Sequence, residues 1–456
     1  MYRKIGVLFT AALVILMSVL PVSANSAIKS WSGSDVNGVY TMEEDCPVVC
    51  MKEDLVFDIK SFPSVFHSSE GFSSYDASVT AVYTLNNPTD SSLNVRLVFP
   101  FGEDPEYLYY GGRNIDEHLG DYQILVNGEA IEKKIRCSLM TGNDFDVERD
   151  VARLRDEYQT DDFYRSDLSV YEYVFETEGM ETAENVFPEC VLELHTDPSG
   201  QRLILSECNY FHSDDDGNYE IHCYADGNGQ KYRMYVLGED LKEVPEFSVM
   251  VLDGEEVSGE MLLKEKNETS LKELILTQKE IENISDVDWY NACIDYLKEK
   301  DPYLYDAIPF VQVHYRLLRW YEYELNFKAG ETLTNSVKAP IYPDINEYYE
   351  PAVYTYHYLL SPASTWADFA DLDVTVNTPY VMTDGEGFTA AEGKYTLHYD
   401  RLPDHELSFS LSKDESPKHS GDSALYIILG ILGVSAILAF FLFRAIIRLI
   451  IRLIRK

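Results

Sequence analysis

Two stretches of this sequence gather aromatic and acidic side chains densely enough to hold a ligand. Glu103–Tyr110 carries Tyr107, Tyr109 and Tyr110, and Glu347–Tyr358 carries Tyr348 and Tyr349. Tyrosine rings stack on sugar faces, and neighbouring carboxylates accept hydrogen bonds from sugar hydroxyls. These five tyrosines are therefore the candidate ligand-binding residues, with a cell-wall glycan as the candidate ligand. Tyrosine is also an ordinary strand residue that packs on a sheet, which is the competing explanation for both stretches.

Metal and catalytic signatures are sparse. His212-Ser213-Asp214-Asp215-Asp216-Gly217-Asn218 has the look of a calcium loop, but the ligand positions fall on His212, Asp214, Asp216 and Cys223. Two of those fail as oxygen ligands, and strand patterns flank the loop where helices are needed. A hairpin turn accounts for it, as it does for Asp226-Gly227-Asn228-Gly229. His195, His212 and His222 could approach across a sheet, yet no second motif supports a metal there. No H-E-x-x-H, G-x-S-x-G, P-loop or G-x-G-x-x-G occurs. The sequence thus singles out no catalytic residue, no metal ligand and no cofactor.

The seven cysteines are Cys46, Cys50, Cys137, Cys190, Cys208, Cys223 and Cys293. An odd number leaves at least one outside any intramolecular bridge. Cys190, Cys208 and Cys223 fall on neighbouring predicted strands, where one bridge is expected. Cys46 and Cys50, four apart on an extended chain, are too distant to join.

The elements that carry these residues are mostly strands. Val79, Ala81, Tyr83 and Leu85 alternate with smaller or polar residues, and Leu93, Val95, Leu97 and Phe99 repeat the pattern after the turn at Asn86–Asp90. Tyr122–Val126 and Ala130–Ile135 flank Asn127-Gly128 as a hairpin. Cys190–His195, Arg202–His212, Asn218–Tyr224 and Lys231–Leu237 read as an antiparallel meander, and Phe247–Leu252 with Val257–Leu263 as another hairpin. Trp320–Phe327, Leu333–Ala339, Ala352–Leu360, Asp371–Val376 and Lys394–Tyr399 complete the strands. Helical spacing marks Asp144–Tyr158 and the run after Ser285, ended at Asp301-Pro302.

Both ends of the chain are apolar. Arg3 and Lys4, the run Ile5–Leu20 and the small-residue site Val22-Ser23-Ala24 form a secretory leader. Ala424–Phe443 is twenty residues without a charge, about 30 Å as a helix, which matches a bilayer's hydrocarbon core. Arg444, Arg448, Arg452, Arg455 and Lys456 follow as a basic cytoplasmic anchor. The expected topology is a single-pass type I plasma-membrane protein with an exported ectodomain. Formal charge is −41, and becomes −48 on the segment between once two cationic leader residues and five cationic tail residues are set aside. That balance argues against nucleic acid as a partner.

The expected fold is mainly β: an antiparallel β-sandwich ectodomain with an inserted α+β segment, plus one transmembrane helix. The segments are leader 1–24, leading segment 25–53, first half of the sandwich 54–140, insertion 141–302, second half 303–411, tether 412–423, transmembrane helix 424–443 and basic tail 444–456. Sequential domains are the alternative arrangement.

Val79-Thr80-Ala81-Val82-Tyr83 with Asn87-Pro88, then Val98-Phe99-Pro100-Phe101-Gly102 and Val126-Asn127-Gly128, recur in a recognisable order. Phe327-Lys328-Ala329-Gly330-Glu331 and the Tyr354, Tyr356, Leu359, Pro362, Ala363, Trp366 series follow later. In these two end segments the chain resembles uncharacterised membrane-anchored surface proteins of Gram-positive bacteria. The resemblance implies a fold and a location and carries no site residues.

Function read at this level is that of an anchored extracellular binding protein without evident catalysis. A cell-wall glycan-binding module is one alternative and a surface hydrolase with an unrecognised site is another. Expected partners are the lipid bilayer, through one helix, and a cell-wall glycan or another surface protein.

Overall fold

The computed structural model describes residues 23–24, 26–33, 40–41, 45–63, 76–102, 122–141, 145–180, 188–206, 208–214, 216–225, 227–250, 258–280, 283–301, 304–305, 310–314 and 316–419. From the N-terminal side the strands are β1 (Ser23–Ala24), β2 (Ala27–Gly33), β3 (Tyr40–Thr41), β4 (Val49–Ile59), β5 (Ala77–Asn86), β6 (Leu93–Gly102), β7 (Gln123–Val126), β8 (Glu129–Ala130) and β9 (Lys134–Leu139). A middle stretch follows with α1 (Val147–Ala152), β10 (Ser169–Glu178), β11 (Glu189–His195), β12 (Gln201–Ser206), β13 (Tyr210–Ser213), β14 (Asn218–Tyr224), β15 (Lys231–Gly238), β16 (Phe247–Met250) and β17 (Glu260–Ser270). It closes with α2 (Leu271–Thr277), α3 (Asp286–Lys300), β18 (Leu304–Tyr305) and α4 (Val311–His314). The last stretch holds β19 (Leu317–Phe327), β20 (Thr332–Pro340), β21 (Asp344–Asn346), β22 (Tyr349–Glu350), β23 (Val353–Leu359), β24 (Ala370–Asn377), β25 (Val381–Asp384), β26 (Thr389–Ala391), β27 (Lys394–Arg401), β28 (Leu407–Ser412) and β29 (Lys418–His419).

The protein is mainly β. Three sheets draw strands from both ends of the chain: β26-β27-β24-β4-β5-β20-β7-β8, β3-β2-β6-β19-β9, and β1-β23-β28-β25 with β21 on β23. Two more sheets, β17-β10-β15-β12-β18 and β13-β14-β11-β16, are built from residues 169–305. Pairing is antiparallel except for β4–β24, β1–β23 and β12–β18.

Alternation explains why the end strands face as they do. In β5 every second residue is buried, so Val79, Ala81, Tyr83 and Leu85 point inward. They meet Leu55 and Phe57 of β4, Leu97 and Phe99 of β6, Tyr321 and Tyr323 of β19, and Tyr356 and Phe409 from the third sheet. A second core lies between the two middle sheets and includes Phe175, Cys190, Leu192, Leu205, Cys223 and Val236. Helix α3 covers the other face of the β10–β15 sheet with Trp289, Cys293 and Leu297, and reaches Cys137 and Leu139 of β9. Its start is fixed by Ser285, whose side chain accepts from the Asp288 N–H.

The middle and end strands are tied together by one arginine. Arg136 on β9 donates from Nε and Nη2 to Asp288 of α3 at 2.9 and 3.0 Å. It also donates to Asp156 at 2.9 Å, Glu322 at 2.5 Å and the Arg155 carbonyl at 2.7 Å. All five N–H groups are thereby used. Lys29 of β2 joins the same cluster through Asp156 and Glu322.

Several expectations change. The helix over 144–158 is only the six residues of α1; beyond it the backbone turns, because Asp156 joins Arg136, and Asn291 accepts from the Gln159 N–H and donates to the Glu157 carbonyl. The expected meander divides: β11 pairs with β14 and β16, whereas β12 pairs with β15. Strands β16 and β17 lie in different sheets and form no hairpin. The Asn127-Gly128 turn is present, with φ of 50° and 84°, but the returning strand is only β8. The turn at Ala329–Glu331 leads from one sheet to another, not back along the same one. It clasps the similar corner at Asn87–Ser91: Asn87 N–H donates to Glu331 O at 2.9 Å and Gly330 N–H to Thr89 O at 3.0 Å. Of the tether, Ser412 ends β28, and Lys418–His419 pairs with β22. No disulfide joins the seven buried cysteines, although Cys190 and Cys223 are cross-strand partners.

Among the described residues, no helix is long and apolar enough to cross a membrane. The expected span 424–443, its basic tail and residues 1–22 of the leader lie outside the described residues.

Candidate functional site

The antiparallel pair β24–β27 sets Asp373 opposite His398. Leu372, Val374 and Val376 point into the core, so Asp371 and Asp373 fall on the outer face. On β27 the same alternation brings His398 and Asp400 to that face. Lys52 of β4 completes the row. Its Nζ lies 2.9 Å from Asp373 and 2.6 Å from Asp54.

Histidine 398 is held from both sides. Its Nδ1 is 2.8 Å from Asp373 Oδ1, and its Nε2 is 3.2 Å from Asp400 Oδ1. Hydrogen bonds to those two carboxylates push the imidazole pKa up. Asp373 is held below the usual carboxylate range, first by Lys52 and then by His398. Asp371, His398 and Asp400 each offer a ligand atom within 4.8 Å of the other two, and they are the one such group among the described residues.

Next to this row is an open cleft of about 490 Å³ lined by Ser364, Trp366, Asp368, Phe369, Asp400 and Arg401, among others. Asp400 is common to both features. The cleft wall is a 3-10 turn at Ser361–Thr365 opened by Pro362. It is pinned at both ends. Glu406 accepts from the Leu360 and Ser361 N–H groups. Ala367 N–H donates to Val48 O at 3.0 Å, and Cys50 N–H to Asp368 O at 2.9 Å. Trp366 is 5% exposed, and its Nε1 has no acceptor among the described residues. A buried indole N–H left in this state is uncommon, since such donors usually find a partner. The arrangement offers a ring wall, two carboxylates and a guanidinium, while the indole N–H is closed off from solvent.

Of the tyrosines singled out from sequence, Tyr348 and Tyr349 do not line this cleft. Tyr107, Tyr109 and Tyr110 lie outside the described residues, as do Arg444, Arg448, Arg452, Arg455 and Lys456. Tyr348 is 70% exposed and stacks near His419, ring centroids 6.1 Å apart. Tyr349 meets the same imidazole edge-on at 5.2 Å. The His212–Asn218 string is a turn, in which Asp214 Oδ1 accepts from the Asp216 and Asn218 N–H groups. His195 bonds Asn218, and His222 sits between Glu189 and Glu220, so the three histidines do not converge.

No family model matches the chain, and no curated protein matches it. Among solved structures, a protein of Legionella pneumophila subsp. pneumophila strain Philadelphia 1, proposed there to bind a nutrient, is similar over 86% of this chain and 71% of that one. The identity is 9% and the TM-score 0.33, and at that score the likeness carries no argument about function.

Proposed function

We propose that this chain is an exported, membrane-anchored binding protein whose ligand occupies the cleft beside Trp366. The carrying observation is an open cleft that brings the Trp366 and Phe369 rings together with Asp368, Asp400 and Arg401. A hydroxyl-rich ligand suits those groups: hydroxyls accept from the guanidinium, donate to the carboxylates, and the sugar face covers the rings. A cell-wall glycan has that chemistry and lies within reach of a protein anchored by 424–443 with its basic tail inside. The strongly acidic ectodomain disfavours nucleic acid and anionic lipid headgroups as ligands.

The test is co-sedimentation of the full-length chain, in detergent micelles, with purified peptidoglycan and with insoluble polysaccharides. Arg401→Gln removes the guanidinium, and Asp368→Asn removes one carboxylate. Retention of the wild type with at least a fivefold loss in either variant supports the cleft. Equal retention of all three proteins, or retention of none, refutes it.

A further inference from the structure

We propose that Asp371, His398 and Asp400 form a binding site for a divalent transition-metal ion of the zinc class. The donor set is one imidazole nitrogen and two carboxylate oxygens, which suits zinc or manganese better than calcium, an ion that takes six to eight oxygens. The three residues come from two paired strands of the eight-stranded sheet, so their backbone spacing is fixed before any ion arrives.

Three further observations favour an ion over a solvated acidic patch. First, Asp373 takes Nδ1 of His398 at 2.8 Å and is itself held by Lys52 at 2.9 Å. That leaves Nε2 as the nitrogen turned toward Asp400. A carboxylate behind the imidazole is the support that metal-binding histidines ordinarily have, because it fixes ring orientation and raises ligand basicity. Second, among the described residues neither Asp371 nor Asp400 forms an ion pair with a lysine or arginine; Asp400 meets only the His398 ring, at 3.2 Å. A metal ion would bridge Nε2 and Asp400 at that place. Third, Asp400 also lines the open cleft beside Trp366, so the group borders space that a further ligand can fill.

Ligand atoms on one ion with bonds of about 2.0–2.2 Å can be no more than about 4.4 Å apart. The three ligand atoms all lie within 4.8 Å of one another, and His398 Nε2 and Asp400 Oδ1 are 3.2 Å apart. Asp400, with its side chain 94% exposed, has the freedom to rotate inward. Three protein ligands leave a fourth position for water or for an oxygen of a cleft ligand.

The experiment is isothermal titration of the tag-free full-length chain in micelles with Zn²⁺ alone, repeated with Ca²⁺. No glycan is present, so the result is independent of whether the cleft binds one. One zinc per chain is expected, with calcium at least tenfold weaker. His398→Ala and Asp400→Asn should each lower zinc affinity at least tenfold. Asp373→Asn, a positioning change, should lower it less, and His357→Ala, which removes the His357–Asp344 pair on another sheet, should leave it unchanged. Co²⁺ added to the wild type should give visible ligand-field absorption that Zn²⁺ abolishes, a readout needing no variant. Absence of stoichiometric zinc binding, zinc binding that survives unchanged in His398→Ala, or a featureless Co²⁺ spectrum would each overturn the proposal.

Discussion

Replacing Arg136 by methionine should be among the most damaging single changes available in this fold. Methionine keeps the length and the apolar stem, so the perturbation is the loss of the guanidinium. Asp288 is 1% exposed and Glu322 6% exposed, and Arg136 satisfies both. Without it Glu322 retains Lys29 at 2.7 Å. Asp288 retains only the Cys137 N–H, at 3.3 Å. An uncompensated buried carboxylate of this kind costs about 3–5 kcal/mol. Asp288 also sits in the first turn of α3, so its displacement would loosen the contact between that helix and β9.

The assay is urea unfolding followed by tryptophan fluorescence. Trp320 is the cross-strand partner of Arg136, and Trp289 is adjacent to Asp288; both are fully buried. With an m-value of about 3 kcal/mol/M, the expected loss moves the midpoint down by roughly 1–1.7 M. The companion variant Asp288→Asn, combined with Arg136→Met, should cost about 1–3 kcal/mol less than the sum of the single changes, because the second substitution removes the stranded charge. A midpoint for Arg136→Met within about 0.3 M of the wild type would refute the reasoning, as would strict additivity.

The same cluster predicts an acid limb. Burial tends to raise the Asp156 carboxyl, but hydrogen bonding and charge from Lys29, with the charges of Arg136 and Arg96, hold it down at about 2, against an ordinary 3.8; Glu322 is lowered by the same cations despite its burial. Because the folded-state values are depressed, this stability is complete above about pH 5 and is lost as pH falls toward 2. For Asp156 the shift would be worth about 2.5 kcal/mol if buried, and with more than half the side chain exposed screening leaves about 1 kcal/mol; the stability gap between wild type and Asp156→Asn should therefore narrow between pH 6 and pH 2.5, and a constant gap would contradict it. Asn87→Ala should cost about 2–3 kcal/mol, since the fully buried side chain donates to Ser91 O and Lys328 O and accepts from Thr89 N–H; an unchanged urea midpoint would show that the two corners hold without it. All seven cysteines are buried, and burial pushes Cys46 and Cys190 up to about 11 and raises Cys50, Cys137 and Cys293 as well; iodoacetamide at pH 8 should label none in the native protein and seven after unfolding, and five after unfolding would reveal a bridge.

What was legible in the sequence was local. Two-residue alternation located β5, β6, β19 and β24, and helical spacing with a capping serine located α3, because in each case the buried face repeats within the element. Partner choice has no such signal. Thr332 pairs with Asn86 and Leu333 with Leu85, from strands far apart in the chain, and nothing in either strand names the other. Strand β17 was read only at its start, up to Leu263, for another reason: its remainder is largely polar and exposed, and is a strand because β10 offers it an edge. Helix α2 was missed although Ser270 and Glu273 form a full capping box, since the polar run before it gave no sign of where a helix would begin.

The candidate site shows how the same limits apply to function. A search by motif looks for ligands close together in sequence, and Asp371 lies 27 residues before His398. Yet each half carried a usable clue: Asp371 and Asp373 are two apart on one strand, and His398 and Asp400 are two apart on the next, so each pair must share a face. What remained hidden was the register that sets Asp373 against His398. A shift of one residue would have turned His398 into the core and left the carboxylates without it. That register is fixed from the buried side, where Leu372, Val374 and Val376 enter the core, so the outward grouping is imposed by the packing of residues that play no part in it. Substitutions at those inner positions should therefore disturb zinc binding as effectively as a change at a ligand, whereas the half-buried Thr375 on the same strand, facing Thr396, should tolerate replacement by valine without effect on the ion.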